Sequence, residues 1–420
     1  MVTALIIFII TYVLLLSFPK YRAYIALASA VVFLIFGLPF KKAINAIDLN
    51  VIMMIAGTMG IVSLFIESKM PSLLADLLIK RMPNVKWTII ALSLFSSIIS
   101  AFIDNVATVL MVAPVALNIS KKLKISPVPS IISIAIASNL QGAATLVGDT
   151  TSILLGGHAG LNFLDFFFFQ GKPGLFWIVQ IGAIAATIVL LIVFRKEKQP
   201  IEVEGKTEVK DYFPTFLLLG MVLLLIIASF IPNTPENING YICISLLVIG
   251  LVWKLIKIKD FKETAKTLKE IDYFTLLLLA GLFVVIEGIK EAGVIAEISE
   301  LISNASKGNV FLIFTIIVWA SVLLSAFIDN IPYVATMLPV VGAISANLGI
   351  EPYLLYFGLL IGATLGGNLT PIGASANIAG IGILRKEGYE VKVTQFMKLG
   401  VPFTLAAVTT GYILVWLLWS

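Results

Sequence analysis

The chain has 420 residues, of which 59% are hydrophobic and 13% charged, and its mean hydropathy is +1.05. Soluble domains carry about a quarter charged residues, so a soluble globular fold is excluded, and the formal charge of +5 requires no nucleic-acid partner. A single cysteine, Cys243, excludes an internal disulfide, and a single histidine, His158, leaves no His/Cys cluster for a transition metal.

A helix needs about 20 apolar residues to cross ~30 Å of hydrocarbon, and continuous rather than alternating apolar runs favour helices over a barrel. Runs of this kind lie near 2–18, 22–38 and 50–66. The first lacks a basic start and a small-residue cleavage site, so it reads as a retained span rather than a signal peptide. A short amphipathic piece follows at 73–81. Residues 87–103 and 105–119 are both apolar and are hinged at Asp104-Asn105, which predicts a re-entrant hairpin over about 87–120. A Gly-interrupted helix over about 128–156 and a span near 175–194 complete the first half. Residues 195–212 are charged, hold no apolar run and read as a linker. The pattern then recurs: 213–231, 241–256, 272–288, a hinged pair over about 310–346, a broken helix within about 353–383, and 398–419.

This organisation predicts an all-α integral membrane protein made of two inverted five-span repeats, 1–194 and 213–420, each with a re-entrant hairpin and a broken helix. Basic residues test the inversion, because they concentrate in cytoplasmic loops. With the linker inside, every Lys and Arg falls inside except Lys41, Lys42, Lys172, Lys290 and Lys307. The expected topology therefore has ten spans, a cytoplasmic linker, hairpins opening from opposite faces and both termini outside.

The repeat is literal at its most polar points. Residues 100–105 read Ser-Ala-Phe-Ile-Asp-Asn, as do 325–330, and the same offset pairs Pro114 with Pro339, Gly142 with Gly367, Thr145 with Thr370 and Gly148 with Gly373. Asp104 and Asp329 stand where the hairpins turn. A carboxylate at membrane depth costs several kcal/mol unless paired or hydrated, which makes both functional candidates. Capping of the returning helix at Asn105 or Asn330 is the plainer alternative, and the two roles are compatible. Asp48 and Asp272 read as interfacial caps, Glu67 and Glu291 as solvated span ends, His158 as a loop residue and Phe166–Phe169 as an aromatic belt.

The second cassette, 137–152 with its partner 366–377, interrupts apolar helices with Gly, Pro and hydroxyl or amide residues. Broken helices in corresponding positions of two inverted halves are the best sequence pointer to a transporter's midplane site. A new helix N-terminus suits an anion, and unpaired carbonyls with Asp and Asn suit Na⁺ or a proton. Small-residue helix packing is the ligand-free alternative, but it does not call for so many polar groups. The expected substrate set is Asn105, Thr108, Asn139, Thr145, Gly148, Thr150, Thr151, Ser152, Asn330, Asn368, Thr370, Gly373, Ser375 and Asn377. Asp104, Asp149 and Asp329 are the expected coupling-ion carboxylates, with Na⁺ at Asp104, Asn105, Asp329 and Asn330 as one form. Asp149 faces Ala374 across the repeat, so the halves are not equivalent.

The strings at 326–339 and 366–378 resemble signatures of the ion transporter superfamily, in the branch of arsenite permeases, NhaD-type antiporters, citrate-metal symporters and the melanosomal P protein. That resemblance covers nearly the whole chain. It implies a scaffold subdomain, a mobile transport subdomain working as an elevator, a homodimer joined through the scaffold, and substrate and ion sites at the hairpin tips and helix breaks. Where relatives similar to the P protein read Gly-Asp-Pro-Pro-Asn, this chain has Gly148-Asp149-Thr150-Thr151-Ser152, losing two prolines and an amide.

The sequence therefore reads as an ion-coupled secondary transporter of a small anion or oxyanion in the cytoplasmic membrane, not an enzyme, with no cofactor beyond Na⁺ or H⁺ as coupling ion. An NhaD-type sodium/proton antiporter is the first alternative and an ion channel the second. No nucleotide-binding G-x-x-x-x-G-K-[ST] occurs, so a gradient supplies the energy unless a separate ATPase subunit docks, as arsenite permeases allow.

Overall fold

The computed structural model describes residues 1–200 and 207–420, and it is helical almost throughout. Helices α1 (Val2–Ser17) and α2 (Arg22–Ile35) lead through a short α3 (Phe40–Ala46) to α4 (Leu49–Glu67) and α5 (Met70–Ile79). Next come α6 (Val85–Ser100), α7 (Asn105–Leu123), α8 (Val128–Gln141), α9 (Thr150–Ala159) and α10 (Leu175–Val193). A two-residue hairpin, β1 (Phe168–Phe169) with β2 (Lys172–Pro173), precedes α10. Beyond residue 212 lie α11 (Phe213–Phe230), α12 (Ile238–Ile258), α13 (Phe261–Lys269), α14 (Tyr273–Glu291) and α15 (Val294–Ala305). The chain closes with α16 (Val310–Ser325), α17 (Asn330–Leu348), α18 (Tyr353–Gly366), α19 (Ser375–Lys386) and α20 (Val393–Trp419). Of the expected linker, residues 201–206 lie outside the described residues.

Helix starts follow from local chemistry. Asp48, Asn84, Asp104, Asp260, Asp272, Asn309 and Asp329 each precede a helix and accept a hydrogen bond from an N–H of its first turn, the usual N-cap arrangement. Asp48 and Asp272 are thus caps, as expected. Helices α7 and α17 stop at Lys124 and Gly349, twin positions in the left-handed region at φ 54° and 65°.

Among the described residues, eight helices are long and apolar enough to cross a membrane, or nine if α1 and α2 count as one bent span. The expected pair of full spans at 2–18 and 22–38 is instead two helices of 16 and 14 residues, bent by 115° at Pro19. At 1.5 Å per residue they reach about 24 and 21 Å, short of the hydrocarbon thickness. Proline lacks the N–H that would continue α1, so the chain turns there.

The helices pack in two groups. In one, α2 lies on α14 and α4 on α12, with closely matched contacts: a Cβ on Gly57 would meet the Cys243 backbone, and one on Gly281 the Ala26 backbone. In the other, α6 lies on α8, α16 on α18 and α10 along α20, while α7 touches α19 and α9 touches α17. Helices α4 and α14 meet the second group at α9 and α17.

The polar contacts sort into two ends of this bundle. One end holds Lys254–Glu67 at 2.5 Å, Lys257–Asp211 at 3.0 Å, the Lys121–Glu387 pair and the linker bond from Val85 N–H to the Gln199 carbonyl at 2.9 Å. The other holds Lys42–Glu291 at 2.5 Å, Lys290–Glu287 at 3.2 Å and Lys172 over the Trp419 ring. Each contact joins residues that the basic-residue count puts on the same side.

Three local expectations change. His158 sits in the last turn of α9, not in a loop, with its ring nitrogen 3.2 Å from the Tyr356 hydroxyl. Phe166 is buried at 1% exposure, and Phe169 joins Tyr353 and Trp419 in an aromatic cluster that locks the β-hairpin onto α18 and α20, so the run is packing as much as belt. Glu67 and Glu291 sit at span ends as expected, each held by a lysine.

Candidate functional site

The two hairpins turn at 101–104 and 326–329, and each tip is stitched to the break in the following helix by matching bonds. Thr145 donates to the Ala101 carbonyl, and Thr370 donates to the Ala326 carbonyl. Gly148 lies against the carbonyls of Gly142, Gln141 and Ala101, and its twin Gly373 against those of Gly367, Ala326 and Ser325. Across each break, Ser152 Oγ donates to the Gly142 carbonyl at 2.7 Å, and Asn377 Nδ2 donates to the twin Gly367 carbonyl at 3.0 Å. A hairpin tip and a broken helix therefore form one unit in each half.

The two units meet through amides and a carboxylate. Asn105 Nδ2 donates to Asn139 Oδ1 at 2.8 Å, and Asn139 Nδ2 reaches the Thr364 carbonyl at 2.8 Å and Asn368 Oδ1 at 3.1 Å. Asn368 Nδ2 returns the contact to the Ile136 carbonyl at 2.9 Å. From the second tip, Asn330 Nδ2 lies 3.3 Å from Asp149 Oδ2, which also accepts from Thr151 Oγ1 at 3.0 Å. Thr151 is in turn 3.1 Å from the Thr364 hydroxyl. Buried polar groups stay folded only when bonded, and this network accounts for nearly every one at the junction.

One atom is left over. Asn377 Oδ1 is buried without a hydrogen-bond partner, although its amide nitrogen serves the Gly367 and Thr370 carbonyls. Leaving such an acceptor unpaired costs about 1–3 kcal/mol, so it is a ready ligand for a cation or a donor. The helix starts differ too: α9 is capped by Asp149, whose Oδ1 accepts from Thr150 N–H, whereas α19 follows Ala374 and has no side-chain cap. The α19 N-terminus keeps free N–H groups beside Ser375, which is exposed rather than buried.

Residues 12–362 match the family model described as "Citrate transporter". The chain belongs to the citrate transporter family. Its relatives include an uncharacterized transporter of Mycobacterium tuberculosis, 33% identical over 99% of this chain and 98% of that one. The human P protein is 28% identical over 88% of this chain and 54% of its own. Among solved structures, the YdaH transporter of Alcanivorax borkumensis superposes with a TM-score of 0.64 at 13% identity, covering 90% of this chain and 87% of that one. The resemblance to the ion transporter superfamily therefore holds, and the protein is a multi-span membrane transporter.

In this citrate transporter family member, the residues singled out by sequence sit together with few exceptions. Asn105, Asn139, Asp149, Thr151, Asn330 and Asn368 form the junction, while Thr145, Gly148, Ser152, Thr370, Gly373 and Asn377 build the breaks. Thr108 is turned inward to bond the Asp104 carbonyl at 3.0 Å, and Thr150 contributes its backbone N–H. The Asp104 and Asp329 carboxylates cap the returning helices through Ala107 and Ile331. Sequence reasoning missed one member: Arg22, whose Nη1 is 2.8 Å from Asp329 Oδ2. No local signal marks it, since its partner lies 307 residues away.

Proposed function

We propose that the protein is an ion-coupled secondary transporter of a small anion, a carboxylate of the citrate type or an oxyanion, working by alternating access in the cell membrane. The observation that carries this reading is the convergence of both hairpin tips on the first helix break, through Asn105 on Asn139 and Asn330 on Asp149, with Asn139 tied in turn to Asn368 of the second break. The uncapped start of α19 supplies N–H donors, and the exposed Ser375 a hydroxyl donor, for the anion. The carboxylates of Asp104 and Asp149, with the unpartnered Asn377 Oδ1, supply negative charge and an oxygen ligand for Na⁺ or H⁺, while Asp329 is held by Arg22. The group containing α4, α12 and α14 serves as scaffold, and the group containing the hairpins and breaks moves against it. The lysine-rich end with the linker faces the cytoplasm, both termini face outside, and the scaffold pairs two copies.

Flux into proteoliposomes tests the reading. Uptake of radiolabelled citrate, sulfate, phosphate or arsenite should require an imposed Na⁺ or proton gradient and stop when the gradient is collapsed. Sodium-driven proton movement with no anion added would favour an antiporter instead, and ungated conductance a channel.

A further inference from the structure

We propose that Arg22 is a positioning residue for the second hairpin tip: its guanidinium is the resident counter-charge of Asp329, so that the twin tip carboxylates are unequal and Asp104 is the one left open to the coupling cation. This rests on the transport reading above. The guanidinium is held from two sides, by Nη1 to Asp329 Oδ2 at 2.8 Å and by Nε to the Leu15 carbonyl at 3.1 Å, across the bend between α1 and α2. Both partners are mostly shielded, with side chains 16% and 20% exposed. The same arm grips the start of the returning helix again, where the Tyr12 hydroxyl donates to the Pro332 carbonyl at 2.8 Å and meets Thr336.

Nothing equivalent stands at the first tip. Among the described residues, neither Asp104 nor Asp149 has a cation within ion-pair distance. The repeat explains why. Gly281 packs on Ala26 as Gly57 packs on Cys243, and Gly288 packs on Phe33 as Gly250 packs on Leu64. These two matches put α2 and α12 in one register, and in that register Arg22 corresponds to Asn239. A cation in one half is replaced by a neutral amide in the other. Two otherwise duplicated tips thus differ by one fixed charge, and a mobile cation meets less competition at Asp104.

The bent, short form of α1 and α2 fits the same purpose. The start of α2, just past the 115° bend, is the part that meets the second tip.

The test uses the full-length protein in detergent and in proteoliposomes, with Arg22→Gln, Arg22→Lys, Asp329→Asn, Asp104→Asn and the double variant Arg22→Gln/Asp329→Asn. Asparagine still caps α17, so the neutral pair should fold. In thermal unfolding, a real pair makes each single neutralisation lower the midpoint while the double variant is no worse than the poorer single; fully additive losses would overturn it. In flux, Asp329→Asn leaves an uncompensated guanidinium beside the cation site, and the half-saturating Na⁺ or proton concentration should rise about tenfold or more, as expected for one unscreened charge at close range. Removing Arg22 as well should bring it back toward the wild-type value, and Arg22→Lys should stay near wild type. Asp104→Asn should lose cation dependence with no such rescue. A double variant as impaired as Asp329→Asn alone would make Asp329 itself the coupling ligand and overturn the assignment. A wild type silent under every gradient would sink the transport reading, while the unfolding cycle would still decide whether the ion pair exists.

Discussion

Ser152 and Asn377 occupy twin positions and do the same structural job, each donating across its helix break to the twin carbonyls of Gly142 and Gly367. They differ in a second donation, from the Asn377 amide to the Thr370 carbonyl, and in one oxygen. The serine hydroxyl has its one proton committed to that bond, whereas the asparagine carries a separate amide oxygen, Oδ1, that is buried and unpaired, which is costly unless something occupies it. Replacing Asn377 with serine therefore separates structure from function. Asn377→Ser should keep the donation to Gly367 but lose the one to Thr370, lower unfolding stability by about 1 kcal/mol, and raise the half-saturating Na⁺ concentration about tenfold. Thermal unfolding and sodium-dependent flux of the same preparation would check both halves, and unaltered sodium dependence would leave Oδ1 without a ligand role. The sequence made Asn377 a candidate because it breaks a greasy run, yet an orphaned acceptor is visible only once its neighbours are in place. Arg22 was illegible for a related reason: near Lys20 it reads as one more loop cation, and only tertiary structure brings it to Asp329.

At the scale of elements, hairpins and breaks were legible because their signals are local. An Asp-Asn turn between apolar runs, a Gly-rich interruption and a capping Asp each act over a few residues. The short helices α3, α13 and α15 were not anticipated, since segments of seven to twelve residues lying beside long spans carry no long apolar run. Likewise α1 and α2 have the composition of spans and only their length and bend distinguish them. How tightly the elements fit yields a contrast between two glycines nine residues apart. A Cβ at Gly373 would stand 2.6 to 2.8 Å from three backbone carbonyls, those of Gly367, Ala326 and Ser325, none of which can rotate away. At Gly382, on the exterior of α19, it would meet nothing within 4 Å. Gly373→Ala should thus cost about 1–3 kcal/mol or more by forcing the hairpin tip off the break. Gly382→Ala should be neutral or slightly stabilising, because alanine is the better helix former. Midpoints of thermal unfolding for the two purified variants would decide it, and equal midpoints would mean the tip is not held by close packing.

At the scale of the whole molecule, sidedness follows from charge. Apart from Arg22–Asp329 at the second hairpin tip, the ion pairs and linker contacts divide into two ends without crossing over, and the basic residues of the described part of the linker, α13 and the start of α6 share one of them. Insertion retains Lys and Arg on the cytoplasmic side, so that end should face the cytoplasm. The chain suits a labelling test, because its one native thiol, Cys243, is fully buried in the contact between α4 and α12 and should give no background. Exposed lysines supply the probes: Lys41 and Lys172 at one end, Lys122 and Lys262 at the other. In intact cells, a membrane-impermeant maleimide should modify Lys41→Cys and Lys172→Cys, and should reach Lys122→Cys and Lys262→Cys only after permeabilisation. The opposite pattern would invert the protein in the membrane and turn every gradient argument around. A mixed pattern, with Lys41→Cys and Lys172→Cys on different sides, would be more damaging. Those two positions flank the region from α4 to the β-hairpin, and an odd number of crossings between them cannot be reconciled with a first hairpin that enters and leaves by one face.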